Sequence, residues 1–126
     1  MITDEVYQMD VLSLAFLGDA VYELLVRKVV TIEGGKANEL HKKAVEYVSA
    51  NSQCEDLSLI WNSLDAREIS IVKRARNKRL HGPKNTKPQV YTLATGFEAL
   101  FGALYLSEDF DRIGELFEMI KEEKWK

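Results

Sequence analysis

A chain of 126 residues, 46% hydrophobic and 29% charged with only two prolines, has the size of one compact domain, residues 1–126, and excludes disorder or a loop-dominated architecture. The single cysteine, Cys54, excludes an internal disulfide and a Cys/His zinc site, and points to a cytosolic address. The N-terminus, Met1-Ile2-Thr3-Asp4-Glu5, is acidic where a secretory signal would be basic. The most apolar stretch is interrupted by Asp19, Glu23 and Arg27, so neither a signal peptide nor a membrane span is expected.

Net charge is −3, but its distribution is uneven. No acid lies between Glu68 and Glu98, while Lys73, Arg74, Arg76, Lys78, Arg79, Lys84 and Lys87 supply seven cations; the remainder then has 10 cations against 20 acids. One basic patch on an acidic body is the electrostatic shape of a phosphate-docking surface. A solvated basic face is the plainer reading of such a run.

Taken in chain order, the elements read as helices. From about Val11 to Val30, apolar residues including Leu12, Leu14, Phe16, Leu17, Val21, Leu24, Leu25 and Val29 cover nearly the whole circumference, which predicts a central buried helix ended by Gly34-Gly35. A second, amphipathic helix over Ala37 to Ser49 turns Leu40, Ala44, Val45 and Val48 inward. Ser52 with Glu55 reads as a capping box opening a helix that buries Leu57, Ile60, Trp61 and Leu64, and Asp65 with Glu68 opens a fourth that runs into the basic segment. His81-Gly82-Pro83-Lys84-Asn85-Thr86-Lys87-Pro88 is the one clear loop. A mostly apolar helix from about Val90 to Leu106 follows, then a last amphipathic one starting at Asp109 or Asp111 and ending near Trp125. No stretch alternates as a strand.

Two acids stand in apolar surroundings. Asp19 sits in Leu14-Ala15-Phe16-Leu17-Gly18-Asp19-Ala20-Val21 and Glu98 in Ala94-Thr95-Gly96-Phe97-Glu98-Ala99-Leu100-Phe101-Gly102. A buried carboxylate costs several kcal/mol unless it is paired or metal-bound. Gly18, Gly96 and Gly102 each weaken a helix by roughly 1 kcal/mol relative to Ala, so a close approach of helices or ligand is expected there. The bland reading is two buried acids satisfied by a Lys, Arg or backbone partner. The other is a hard-cation site, whose oxygen-only ligands favour magnesium or manganese and activate water for attack on a phosphodiester.

Phe16-Leu17-Gly18-Asp19-Ala20-Val21 and, much later, Phe97-Glu98-Ala99-Leu100-Phe101-Gly102-Ala103-Leu104-Tyr105-Leu106 resemble, in order and separation, the two motifs of the ribonuclease III catalytic domain. Asn38-Glu39-Leu40-His41-Lys42-Lys43, Val48-Ser49-Ala50, Arg74-Ala75-Arg76-Asn77 and Pro83-Lys84-Asn85-Thr86 look like the mini-ribonuclease III group, whose members consist of the catalytic domain alone. The resemblance implies an all-α endonuclease fold, a homodimer with two active sites, Mg2+ held by Asp19 and Glu98 as catalytic residues, and maturation of the ends of a 23S ribosomal RNA precursor. It leaves room for a ribosomal protein on the substrate.

Ribonuclease III enzymes carry two further acids where this chain has Ala15 and Thr95. That departure implies a water-rich metal shell holding one or two ions, and it lends weight to the alternative of a catalytically weak duplex-RNA- or ribosome-binding helical module. A helical regulatory dimer without an RNA partner is the weakest reading. Glu23, one turn beyond Asp19, either supports the site through a water or is a surface or dimer-contact acid.

Double-stranded RNA is recognised mainly through shape, phosphates and 2′-hydroxyls. Lys73, Arg74, Arg76, Asn77, Lys78, Arg79, Lys84, Asn85 and Lys87 are the candidate contacts, with His41 and Lys42. His41 and His81 are equally well read as plain surface residues. Trp61, Trp125, Phe101 and Tyr105 read as core or dimer-interface aromatics rather than stacking platforms.

Overall fold

The computed structural model describes residues 1–78 and 82–125. Within them are seven α-helices and no strand: α1 (Thr3–Tyr7), α2 (Val11–Glu33), α3 (Ala37–Val48), α4 (Ala50–Ile60), α5 (Ala66–Arg76), α6 (Pro88–Leu106) and α7 (Phe110–Lys124), with a 3-10 turn at Trp61–Ser63. The all-α expectation is met. No helix among the described residues is long and apolar enough to cross a membrane.

The central helix is α6, not α2. Phe97, Ala99, Leu100, Phe101 and Ala103 are fully buried, and α2, α4, α5 and α7 all pack against α6. By contrast, Phe16 is 86% and Leu24 67% exposed on α2. A helix apolar on every face has more apolar surface than its neighbours cover: α6, α3 and α5 pack on α2 and bury residues such as Leu14, Gly18, Val21 and Val26, leaving Phe16 and Leu24 outside. Tyr22 faces inward among aromatic edges, with ring centroids 4.8 Å from Phe97 and 5.3 Å from Phe101.

Helix ends follow local chemistry, with two corrections to the sequence reading. Glu68 N–H donates to Asp65 Oδ1 at 2.8 Å and Asp65 N–H to Glu68 Oε1 at 2.9 Å, the expected reciprocal cap of α5. The cap of α4, however, is Ser49, whose Oγ accepts from Ser52 N–H at 3.2 Å, rather than Ser52 with Glu55. The helix therefore starts earlier, and it ends at Ile60 with Trp61 and Leu64 beyond it. Its inward face includes the polar residues Ser52, Gln53 and Asp56 beside Leu57 and Ile60. Val45, expected inside on α3, is 52% exposed. Pro88 is the first residue of α6, where its fixed φ suits a helix start; Asp109 caps α7.

Candidate active site

The site arises where α2 crosses α6. A Cβ at Gly18 would stand 1.6 Å from the Glu98 carbonyl oxygen, and one at Gly102 would stand 2.0 Å from that of Leu14. Only paired glycines let these backbones touch, which is the close approach anticipated from the sequence. Asp19 follows Gly18 on one helix and Glu98 precedes Gly102 by one turn on the other, so the crossing brings the two carboxylates together.

Asp19 is exposed and Glu98 is partly buried. The burial penalty expected at both acids therefore falls on Glu98. Its carboxyl is pushed up to about 8, first by burial and then by hydrogen bonding with, and the charge of, Asp19; the Gln53 amide opposes the rise. Gln53 Nε2 donates to Glu98 Oε2 at 3.5 Å. A carboxylate pair of this kind needs either a proton or a cation between its members.

The residues present fit a magnesium-type cation. They offer two carboxylates, and no cluster of three or more His, Cys, Asp or Glu occurs among the described residues. Magnesium commonly takes one or two protein carboxylates and keeps several waters. The positions of the two absent acids offer no carboxylate: Ala15 is buried, and the Thr95 hydroxyl donates to Tyr91 O at 2.9 Å within its own helix. Glu23 is paired with Arg27 at 2.7 Å on the surface.

A match to the Ribonuclease III domain family extends over residues 12–109. The chain belongs to that family. Among its relatives, the mini-ribonuclease 3 of Thermoanaerobacter sp. (strain X514) is 44% identical over 86% of this chain and 78% of its own length. That of Symbiobacterium thermophilum is 41% identical over 85% and 84%. A crystal structure of a Fusobacterium nucleatum protein superimposes with a TM-score of 0.83 at 34% identity, covering 90% of this chain and 93% of that one. The family and its relatives make the chain a ribonuclease III-type endoribonuclease acting on double-stranded RNA, and Asp19 and Glu98 both lie inside the matched segment.

The basic candidates divide by environment. Lys73, Arg76, Asn77 and Lys78 are exposed toward the end of α5, and Lys84, Asn85 and Lys87 are exposed in the segment leading to α6. Lys78 reaches Asp10 at 3.0 Å. Arg74 differs: half-buried, its guanidinium donates to the carbonyls of Tyr7 and Met9 and ties the α1–α2 turn to α5. His41 and Lys42 are exposed on α3. Arg79 and His81 lie outside the described residues.

The sequence reading missed the polar groups on α4. Tyr22 O–H donates to Asp56 Oδ2 at 2.6 Å, and Lys124 Nζ donates to Asp56 Oδ1 at 2.7 Å and Ser52 Oγ at 2.8 Å. Burial, partly opposed by Lys124 and Tyr22, raises the Asp56 carboxyl. The available signal was spacing, since positions 53, 56, 57 and 60 share one helical face.

Proposed function

We propose that this endoribonuclease works as a homodimer in which each Asp19 and Glu98 pair holds Mg2+ against a phosphodiester of double-stranded RNA, and that its substrate is the 23S ribosomal RNA precursor. The observation that carries the reading is the juxtaposition of two carboxylates across the Gly18 and Gly102 contact. When bound, the cation supplies an activated water and electrostatic stabilisation of the phosphate in the transition state. Asp19 and Glu98 bring the negative charge that binds it. Glu98, with its proton affinity raised by burial, must release its proton for the cation to enter. The glycine contact fixes the separation of the two helices from which the carboxylates project.

The dimer is supported by the uncovered face of α2. Leu12, Phe16 and Leu24 are 43%, 86% and 67% exposed, beside an apolar groove of about 370 Å³ lined by Leu17, Ala20, Leu24, Tyr105 and Phe110. Burying one such phenylalanine contributes about 2–3 kcal/mol, and a self-complementary patch is what a two-fold interface requires. For RNA, the exposed cations of α5 and of residues 84–87 form the phosphate-facing surface. Arg76, Lys84 and Lys87 lead that set, while Arg74, spent on the Tyr7 and Met9 carbonyls, drops out of it.

The deciding experiment is cleavage of duplex RNA with and without Mg2+, with end-group analysis, for the parent, Asp19→Asn and Glu98→Gln. Each amide variant should lose cleavage on the order of 10²–10³-fold or more while keeping its fold and duplex affinity. Parent-like cleavage by either would remove the catalytic assignment, and duplex binding by the parent without Mg2+-dependent cleavage would favour the binding module.

A further inference from the structure

Gln53 is only 2% exposed, and a buried side-chain amide is costly without a hydrogen-bond partner. Its polar neighbours on α4 are engaged elsewhere: Ser52 by Lys124, and Asp56 by both Lys124 and Tyr22. These contacts fix α4 one residue before Gln53 and one turn after it. Among the described residues, the side-chain partner recorded for Gln53 is Glu98, with Nε2 3.5 Å from Oε2.

We propose that Gln53 is a positioning residue that holds the Glu98 carboxylate turned toward Asp19, so that both acids meet the divalent cation together. This rests on the reading of Asp19 and Glu98 as the metal pair. A neutral donor is suited to the task. A lysine or arginine at this point would neutralise Glu98 and compete with the cation, and a third carboxylate would add repulsion to a pair that already repels. An amide orients Glu98 while leaving its full charge for the metal. At 3.5 Å the bond is long and weak, so it biases the orientation of the carboxylate rather than fixing it. The anchor is rigid because α4 is itself held by Lys124 from the end of α7. Groups that orient a metal ligand in this way typically matter 10- to 100-fold for metal affinity or activity.

The test uses the whole chain with two substitutions. Gln53→Met keeps similar volume without a donor, and Gln53→Asn keeps the amide but withdraws it by one methylene. Mn2+ binding in the absence of RNA is followed by electron paramagnetic resonance of the free ion, with thermal melting and cleavage against Mg2+ concentration on the same preparations. In both variants the Mn2+ dissociation constant should rise roughly tenfold or more, and the Mg2+ concentration for half-maximal cleavage should rise in step. Cleavage at saturating Mg2+ should recover toward the parent, and duplex affinity in EDTA should be unchanged. Parent-like Mn2+ affinity in a folded variant overturns the proposal, as does a lowered melting temperature without any shift in Mn2+ affinity. Asp19→Asn separates the two levels. If it binds Mn2+ like the parent, the metal-pair reading itself fails; if it loses Mn2+ while the Gln53 variants retain it, only the role of Gln53 fails.

Discussion

Replacing Glu98 with Gln should stabilise the metal-free protein, and by more as pH rises. Burial and Asp19 lift the Glu98 carboxyl from the ordinary 4.5 to about 8. Between those values the folded chain keeps a proton that the unfolded chain has released. Stability therefore has a component fully present below about 4.5 and lost as pH rises through about 8. At about 1.36 kcal/mol per pH unit, the ceiling on this loss is about 5 kcal/mol. Glu98 is only partly buried and Asp19 is exposed, so solvent relieves part of both the burial penalty and the repulsion, and a loss of about 2 kcal/mol is expected, equivalent to roughly 6–8 °C in melting temperature at this chain length.

The amide introduced by Glu98→Gln has the same shape as the carboxylate and no charge to bury, so the variant lacks this component. The assay is denaturant unfolding in EDTA from pH 4.5 to 9 for parent and variant, at matched protein concentration because a dimer couples stability to concentration. Other titrating groups cancel in the difference. The two curves should diverge with rising pH, and Mg2+ should narrow the gap by stabilising only the parent. Parallel curves would falsify the argument that Glu98 carries a buried, repelled charge.

The surface predictions follow from the environments of the cations and of α2. Replacing Arg76, Lys84 and Lys87 with Ala should weaken duplex RNA binding and reduce the slope of log affinity against log salt by about 0.9 per contact, the B-form duplex value; an unchanged slope would place the RNA elsewhere. Arg74→Ala should instead destabilise the fold by about 2 kcal/mol, since it removes charge-assisted hydrogen bonds to the Tyr7 and Met9 carbonyls, and urea unfolding measures this directly. Phe16→Asp should convert the dimer to monomer in light scattering at micromolar concentration, and a dimer that persists would reject the α2 interface.

Much of this arrangement was legible because some residues have one physical use. Asp65 and Glu68 sit at the spacing of a reciprocal cap before an apolar face, and they form it. Gly18 and Gly102 flank acids inside apolar helices, where their conformational penalty makes sense only if something approaches closely; the approaching group is each other's helix. The α4 cap was not legible, because Ser49 and Ser52 both stand at cap spacing. The choice was made by Lys124, which bonds Ser52 Oγ from 72 residues away. Gln53 and Asp56 were hidden for the same reason, since a polar residue on an inward stripe reveals its burial only when its partner is known. Arg74 shares a basic run with exposed neighbours, and charge alone does not say that its side chain turns beneath α1.

The faces of α2 connect these observations. Leu14, Gly18, Val21 and Tyr22 point into the core, Phe16, Ala20 and Leu24 point away from it, and Asp19 lies on the boundary, one turn from Phe16. A second chain seated on the Phe16 face would therefore border the site at Asp19, while the partly buried Glu98 comes from α6. The exposed position of Asp19 then has a physical role. A fully buried pair would hold its proton against the cation, whereas one buried and one solvated carboxylate keep a strong local field and an open path for water, metal and phosphate. On the proposed two-acid reading, the waters that would replace the missing ligands need the access that a solvated Asp19 leaves open and that a closed acid cluster would deny.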